Sequence, residues 1–530
     1  MSSSETLTEK QKFSTQSLIS EWGIVIAFVL AKLFIHFATN TNYGLHRDEF
    51  LYAALGQHLD FGFASTPPSI AVFAQIAQSF FGESVFGMRF FSALIGGLLI
   101  FFTGWSVKEM NGGKFAQFIA CLAILLSPAY LRSQTLFQPV SFDQLYFVLC
   151  MFFAIRFFKT EKSVYLYYFA LALGFGLLNK YSIILIGMGF VVALLTSKQR
   201  QIFLSKDPYL AVGLAFLIFL PNSLWQVFQG FPVLSHMAEL QQTQLQNVTV
   251  SGFLGDQLLM NISGFYLWIL GLWFVFFTES GRKFIGIGWM FLFVFLVLLV
   301  AHGKSYYTLG IFPVMMAAGS VFLEQLTEKK KWIRIIPTVF TVLVLIPILP
   351  ISLPVLPKTE MAEYCNERKD RPYFQPTIRW EDGELHAIPQ DYADMLGWEE
   401  LANTVIKIYE SLPDSEKTET AIIAANYGQA GAIDFYGKAH GLPKAISFND
   451  AYLFWTPENL NAKTLIYIDD ETEDVSKIFV EVIKVGEITE PLAREFGLPV
   501  YLCKKPRFDY SDLWKKLRKE KFAEKYSAGE

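Results

Sequence analysis

The feature that most constrains this chain is a succession of long apolar stretches separated by short polar turns. A helix needs roughly 20 mainly apolar residues to cross the hydrocarbon core of a bilayer. Candidates lie at 22–39, 88–107, 115–131, 141–158, 164–179, 181–196, 209–225, 257–277, 284–301, 306–323 and 335–353. The chain is therefore predicted to be a mainly helical, polytopic membrane protein with about 11–13 transmembrane helices.

Composition supports a membrane protein and excludes one other class. Of the 530 residues, 53% are hydrophobic and only 17% are charged. The net charge is −4 and the basic residues are scattered, whereas nucleic-acid binding needs a basic stripe or patch. The four cysteines form no closely spaced pair, and pairing between Cys365 and Cys503 is left open.

The distribution of lysine and arginine predicts the orientation, because basic residues are retained on the cytoplasmic side. With residues 1–20 inside, alternate loops receive most of the basic residues along the whole chain. The first apolar stretch has no small-residue cleavage site after it, which favours a retained anchor. Residues 40–87 (loop 40–87 below) and everything after about 354 are then predicted to be extracytoplasmic.

The composition changes after the prolines of PILPISLPVLP, where the chain becomes polar. Short β-like runs such as TAIIAANYG, TLIYIDD and FVEVIKV alternate with helical segments such as DMLGWEELANTVIKIYESL. We predict three parts: a cytoplasmic segment at 1–20, a transmembrane domain at 21–355 and a soluble extracytoplasmic α/β domain at 356–530 (the C-terminal region below).

Loop 40–87 begins with an unusual group of polar residues, His46, Arg47, Asp48 and Glu49, immediately after the first span. Apolar residues then recur at helical spacing, which predicts a helix along the membrane surface, and a second amphipathic stretch follows Pro67 and Pro68. Acidic residues in a first helical turn complement the helix dipole. That explanation accounts for one carboxylate but leaves the adjacent arginine and histidine unexplained.

A further acid, Asp143, lies just inside the fourth predicted span, in QPVSFDQLYF. An uncompensated carboxylate at that depth is costly, so it should face protein or a watery cavity and have a partner. A structural hydrogen bond to a neighbouring helix end is the alternative.

Several cations lie on the predicted outer side, against the general trend: Arg47, Arg89, Arg132, Lys180 and Lys304. Single basic residues there usually reach to the interface. Several of them flanking buried carboxylates instead indicate a site for an anionic group held near the membrane surface, with phosphate the obvious candidate.

The order of these motifs resembles a known family. The first span is followed by HRDE, HLDFG and a double proline, then by PVSFDQLYF, NKYS, PNSLWQ with GFP, and GKSYY. This order resembles the bacterial branch of glycosyltransferase family 39, the dolichyl-phosphate-mannose-protein mannosyltransferase-like group, and is similar to the lipid A aminoarabinose transferases. The resemblance covers residues 20–330 most strongly, and NYGQAGAIDFYG and PVYLCKKPR also look like the tail of bacterial members.

The resemblance implies a GT-C fold in the bacterial plasma membrane, a polyprenyl-phosphate sugar as donor and a catalytic acid in the first outer loop. Asp48 then corresponds to the catalytic aspartate, Glu49 to its acidic neighbour and Asp143 to the second acidic position. The candidate ligands of the donor phosphate are Lys180 and Lys304, with Arg47 and Arg132 behind them. His46 and Tyr306 are candidate substrate-binding residues.

The expected chemistry is a single displacement with inversion, in which a carboxylate takes the proton of the acceptor hydroxyl while cations stabilise the departing phosphate. Because that leaving group is already ionised, no protonating acid is needed, and Asp143 is more suited to positioning the acceptor. No cofactor is assigned. A divalent metal ion is left open because loop 40–87 contains His46, His58, Asp60 and Glu83, without diagnostic spacing.

The predicted partners are membrane lipids, the polyprenyl-phosphate sugar and an extracytoplasmic acceptor, which the sequence leaves open among protein, glycolipid and envelope polysaccharide. A transporter or a flippase for lipid-linked sugars is the main alternative function. Transporters usually place polar sites near the bilayer midplane and often have two related halves. Here the polar residues gather at one face without an internal repeat, and a non-catalytic scaffold would not need the acid and cation cluster.

Overall fold

The computed structural model describes residues 15–243 and 245–526, so most of the predicted segment 1–20 lies outside the described residues. From residue 15 to about residue 355, the described part of the chain is mainly helical. The helices are α1 (Thr15–Thr39), α2 (Arg47–Gln57), α3 (Ser69–Phe81), α4 (Val85–Glu109), α5 (Lys114–Leu125), α6 (Pro128–Ser133), α7 (Pro139–Thr160), α8 (Val164–Leu177), α9 (Ile184–Leu195), α10 (Asp207–Phe228), α11 (Pro232–Thr243), α12 (Val250–Met260), α13 (Phe265–Phe277), α14 (Glu279–Arg282), α15 (Ile285–Val300), α16 (Phe312–Leu326), α17 (Ile335–Leu343) and α18 (Leu349–Ser352).

The predicted multi-pass helical architecture is confirmed. In the described part of the chain, six helical segments are long and apolar enough to span a membrane, or up to eight if two bent pairs each count as one span. Four further apolar helices have 10–17 residues. Every apolar stretch predicted from the sequence coincides with one of these segments. The full spans are fewer than the 11–13 predicted, because breaks such as the one at Asn179 and Lys180 shorten several helices.

The break between α8 and α9 positions polar groups. The chain leaves α8 at Leu177 and resumes as a short 3₁₀ turn at Tyr181, and the buried Asn179 amide donates to the Pro139 carbonyl at 3.0 Å. Pro139 is the first residue of α7, where a proline lacks only an N–H that would have no helical partner. The break is therefore fixed against the start of α7, which carries Asp143.

The C-terminal region adds short helices and one sheet. The helices are α19 (Lys358–Asn366), α20 (Gln375–Ile378), α21 (Gln390–Ala393), α22 (Trp398–Ser411), α23 (Asp414–Lys417), α24 (Tyr427–Gly437), α25 (Tyr452–Trp455), α26 (Glu473–Ile478) and α27 (Ser511–Tyr526). The strands are β1 (Thr420–Ala424), β2 (Ala445–Ile446), β3 (Thr464–Ile468), β4 (Phe479–Glu487) and β5 (Pro499–Pro506).

The five strands form one mixed sheet in the order β2-β1-β3-β5-β4. Strand β1 is parallel to β2 and β3, whereas β5 is antiparallel to both β3 and β4. The β-like runs predicted from the sequence therefore form strands β1, β3 and β4. The first run ends at Ala424, because Asn426 caps α24 instead of extending the strand.

Loop 40–87 and the C-terminal region share one hydrophobic core. Phe50 and Leu55 of α2 are fully buried in the same cluster as Trp398 of α22 and Ile433 of α24. The helix predicted after HRDE is present as α2 and is packed between α3 and α24, and its position along the membrane surface stays a prediction. The C-terminal region therefore covers the loop that carries the HRDE motif.

All four cysteines lie in the described part of the chain and are free. Cys365 and Cys503 are buried in two separate hydrophobic clusters, so the pairing left open by the sequence does not form.

Candidate active site

The HRDE motif forms the start of α2. His46 is the N-cap residue in an extended conformation, and its Nδ1 accepts a hydrogen bond from the Asp48 amide at 3.1 Å. The Glu49 carboxylate accepts from the His46 amide at 2.7 Å, which completes a capping box. This arrangement turns the two acids of the motif in different directions.

Glu49 is sealed inside the protein. Its side chain is 0% exposed, and the buried Arg89 guanidinium of α4 pairs with it through Nη2 and Oε2 at 2.6 Å. The Phe137 amide donates to Oε1 at 2.7 Å. Burial alone would raise the pKa of Glu49, but the Arg89 charge and these hydrogen bonds hold that pKa below its ordinary value. The geometry therefore favours a structural role for Glu49 over the catalytic role predicted from the motif.

Asp48 faces the opposite way and its side chain is 32% exposed. Oδ1 accepts from the Tyr427 hydroxyl at 2.7 Å, and Oδ2 accepts a long hydrogen bond from the Gln138 amide at 3.3 Å. The His46 ring lies 4.0 Å from Oδ2. Asp48 thus has one oxygen firmly held and the other held weakly, next to solvent.

Two lysines from separate elements converge near Asp48. The Lys180 ammonium lies 4.1 Å from the ring centre of Tyr307 and 5.1 Å from that of Tyr306. Lys304 lies directly before the short 3₁₀ turn Ser305–Ile311. Its ammonium lies 5.9 Å from the centre of the Tyr306 ring on that turn. All four side chains are half-buried, so this group of cations and phenols (the lysine–tyrosine cluster below) is open to a ligand.

The charges in this cluster influence one another. Burial lowers the pKa of Lys180 to about 8, with Asp143 opposing the shift and Lys304 adding to it. Burial also lowers the pKa of Lys304, against the opposing charges of Glu381 and Asp48. Two partly desolvated ammonium groups that repel each other are stabilised by a shared anion.

Asp143 of α7 adjoins the same cluster and is 5% exposed. Its Oδ2 accepts from the Ser182 hydroxyl at 3.2 Å, while Oδ1 has no hydrogen-bond partner within the described residues. A buried carboxylate oxygen without a partner is costly unless water or a ligand satisfies it. The partner expected from the sequence is therefore Ser182 together with the nearby Lys180 charge.

The two arginines predicted behind the lysines face the C-terminal region instead. The Arg47 guanidinium lies 4.8 Å from the ring centre of Tyr427. Arg132 donates through Nε to Asp391 at 3.0 Å and lies 4.4 Å from the ring centre of Tyr392. Nε of Arg47 and both terminal nitrogens of Arg132 are buried without a hydrogen-bond partner among the described residues, so the phosphate role of the two arginines stays a prediction.

The two remaining predicted residues, Tyr306 and His46, lie in different surroundings. Tyr306 lies in the lysine–tyrosine cluster, as expected of a substrate-binding residue. His46 is 6% exposed, and its Nε2 lies 3.7 Å from Asp394, so it supports the loop from inside. Geometry therefore supports substrate contact for Tyr306 more than for His46.

The sequence leaves a divalent metal ion open because loop 40–87 contains His46, His58, Asp60 and Glu83. No group of three or more histidine, cysteine or acidic side chains suited to a metal ion occurs among residues 15–243 and 245–526. The His58 ring stacks on Trp455 at 4.0 Å, and Glu83 is ion-paired with Lys438.

Several residues of the site have no strong signal in the sequence. Tyr307 adjoins Tyr306 in the GKSYY motif, so the same motif indicates both tyrosines. Gln138 and Ser182 are ordinary polar residues near predicted helix ends. Tyr427 belongs to the quoted NYGQAG segment, but it lies 379 positions from Asp48. The sequence could have indicated a capping box there, because Asn426 is followed three residues later by Gln429.

Comparison with known proteins identifies the fold. Residues 65–225 match the family model described as dolichyl-phosphate-mannose-protein mannosyltransferase. The crystal structure of ArnT from Cupriavidus metallidurans bound to undecaprenyl phosphate superposes with a TM-score of 0.64 at 16% identity, over 91% of this chain and 98% of ArnT. The fold is GT-C and ArnT-like.

The apo state of the same ArnT gives a TM-score of 0.60 at 15% identity, with the same coverage of both chains. No curated protein sequence matches the chain. The GT-C fold predicted from the motif order is therefore confirmed. The family match contains Asp143 and Lys180, whereas Asp48 and Lys304 lie outside the matched residues.

Proposed function

We propose that this chain is an inverting membrane glycosyltransferase that uses a polyprenyl-phosphate sugar as donor and acts at the extracytoplasmic face of a bacterial plasma membrane. One observation carries the proposal. In a GT-C fold, the ammonium groups of the half-buried Lys180 and Lys304 lie 5.1 and 5.9 Å from the centre of the Tyr306 ring, near the partly exposed carboxylate of Asp48. An ArnT of the same fold was crystallised with undecaprenyl phosphate, which supports a lipid phosphate as the ligand.

The lysine–tyrosine cluster suits a phosphate that gains charge during the reaction. A polyprenyl-phosphate sugar is a phosphodiester with one negative charge, and its departure leaves a phosphate monoester dianion. Lys180 and Lys304 would stabilise that added charge, and the hydroxyls of Tyr306 and Tyr307 can donate to phosphate oxygens. Partial burial strengthens these interactions because it excludes competing water.

Asp48 would act as the general base. The acceptor hydroxyl attacks the anomeric carbon, the bond from that carbon to the phosphate oxygen breaks, and the hydroxyl proton passes to Asp48. Oδ2 is the oxygen suited to this step, because its hydrogen bond to Gln138 is long, whereas Oδ1 is held by Tyr427. A single displacement inverts the configuration of the sugar.

Asp143 would position the sugar or the acceptor. Its unpartnered Oδ1 can accept a hydrogen bond from a hydroxyl of either substrate. No protonating acid is required, since the leaving phosphate is already ionised.

The test is transfer of labelled sugar from a panel of synthetic polyprenyl-phosphate sugars by the purified full chain. Two acceptor pools, bacterial glycolipids and hydroxyl-containing peptides, distinguish the acceptor classes. We expect transfer from one donor, its loss in Asp48→Asn and unchanged transfer in Asp414→Asn, an exposed carboxylate paired with Lys417. Absence of transfer from every donor, with folded protein that moves labelled lipid across vesicles, would instead establish the flippase alternative.

A further inference from the structure

We propose that Tyr427 of the C-terminal region is a positioning residue for the base, so that the C-terminal region completes the active site. This inference rests on the proposed function and adds a residue that the transmembrane part does not supply. The Tyr427 hydroxyl donates to Oδ1 of Asp48 at 2.7 Å, the shortest hydrogen bond that this carboxylate makes among the described residues.

The backbone around Tyr427 is held firmly. It is the first residue of α24, directly after the N-cap Asn426, whose side chain accepts from the amides of Gly428 at 2.9 Å and Gln429 at 3.1 Å. Oε1 of Gln429 in turn accepts a hydrogen bond from the Ala425 amide at 3.0 Å. A helix start fixed in this way gives the tyrosine a defined direction.

Close packing then brings this helix start onto α2. A Cβ added at Gly428 would lie 2.6 Å from Arg47 Cγ, and one added at Gly431 would lie 2.7 Å from the Cβ of Phe50. Both distances are shorter than real contacts allow, so only glycine permits the observed approach of the two helices. Gly428 and Gly431 are three residues apart and therefore lie on the same face of α24.

The ring of Tyr427 also has a second contact with the motif. The Arg47 guanidinium lies over it, 4.8 Å from the ring centre, and this cation–π contact also restrains the phenol. Tyr427 thus contacts both central residues of HRDE.

A phenol that donates to Oδ1 has two effects on a base. It selects one rotamer of Asp48 and directs Oδ2 toward the open side, where an acceptor hydroxyl would bind. It also stabilises the ionised carboxylate, because a hydrogen bond to the charged form favours that form. Burial, together with the Asp48 charge, raises the pKa of Tyr427, so the phenol stays protonated and remains a donor at neutral pH.

The test compares Tyr427→Phe with Tyr436→Phe in the purified full chain. Tyr436 is a matched control because it lies on the same helix, its ring contacts Phe50 at 5.8 Å and its hydroxyl makes no hydrogen bond within the described residues. For Tyr427→Phe we expect kcat to fall about tenfold or more while KM for the donor stays within about twofold.

The pH profile gives the readout that a purely structural role would not change. Loss of the phenol donor should change the acidic limb of the kcat/KM profile in Tyr427→Phe and leave it unchanged in Tyr436→Phe, because only Tyr427 donates to the base. The other charged groups near Asp48, His46, Arg47 and Lys304, are the same in both variants. An unchanged profile and kcat in Tyr427→Phe would overturn the proposal.

A second measurement separates failure of this inference from failure of the proposed function. Infrared difference spectroscopy of the full chain at neutral pH, with Asp48→Asn subtracted, isolates the carboxylate band of Asp48 without any substrate. A shift of this band in Tyr427→Phe but not in Tyr436→Phe supports the positioning contact even where no sugar is transferred. An identical band in wild type and Tyr427→Phe would overturn it even in an active enzyme.

Discussion

Asp48 and Glu49 are adjacent acids in the same helical turn, yet the structure gives them opposite surroundings. Asp48 is 32% exposed and bonded by two neutral donors, whereas Glu49 is 0% exposed and paired with a buried arginine. Successive helical residues point about 100° apart, so one turn can face both a cleft and a core. An acidic motif at a membrane boundary can therefore combine one acid that is open to a substrate with one acid that holds the structure together.

The most direct test of these two roles is to neutralise each acid in turn. Asp48→Asn keeps the size of the side chain and removes the base, so we expect kcat for sugar transfer to fall by about 10³-fold. The melting temperature should stay close to that of wild type, because Asp48 is partly exposed. A large loss of stability with retained specific activity would reverse the roles assigned to the two acids.

Glu49→Gln should act mainly on stability. It leaves the Arg89 guanidinium buried without its counter-charge, and we expect a loss of about 3 kcal/mol in the free energy of unfolding. Chemical denaturation in detergent measures this loss. The protein that remains folded should keep most of its kcat, and a fall in kcat as deep as that of Asp48→Asn would show that Glu49 takes part in catalysis.

The next prediction concerns the lysines of the open site, where the donor phosphate is proposed to bind. Lys180→Met should raise KM for the donor about 30-fold with a smaller effect on stability, because a charged hydrogen bond to phosphate is lost. Lys463→Met is the control, since Lys463 pairs with Glu419 in the C-terminal region. Equal KM values for both variants would remove Lys180 from the donor site.

Donor binding should also depend on pH through Lys180. With the pKa of Lys180 lowered to about 8 by burial, the ammonium is mostly charged at pH 7 and mostly neutral at pH 9. Affinity of the free protein for polyprenyl phosphate should therefore fall about tenfold between these pH values. Lys180→Arg stays charged throughout and should lose most of this dependence, which titration of lipid phosphate binding can measure.

The smallest expected effect concerns Arg132. Because it contacts Asp391 and Tyr392 of the C-terminal region, Arg132→Gln should lower the free energy of unfolding by about 1 kcal/mol. KM for the donor should change less than about twofold. A KM increase as large as that of Lys180→Met would restore the phosphate role predicted from the sequence.

The helical membrane architecture and the residue types of the site follow from the amino-acid sequence alone. Apolar runs of spanning length, and strands such as TAIIA and TLIYI, follow from local patterns that operate over a few residues. The order of short motifs then indicated the GT-C fold. Asp48, Asp143, Lys180 and Lys304 were all singled out because charge near a membrane interior is costly and needs a reason.

Only the tertiary structure decided which of these groups face one another. Glu49 and Arg89 are 40 positions apart, and Asp48 and Tyr427 are 379 apart, so no local pattern relates them. Their pairing depends on how α4 and α24 pack against α2, which is set by shape and burial over the whole chain. For the same reason the sequence could not distinguish the acid that is open to a substrate from the acid that holds the loop in place.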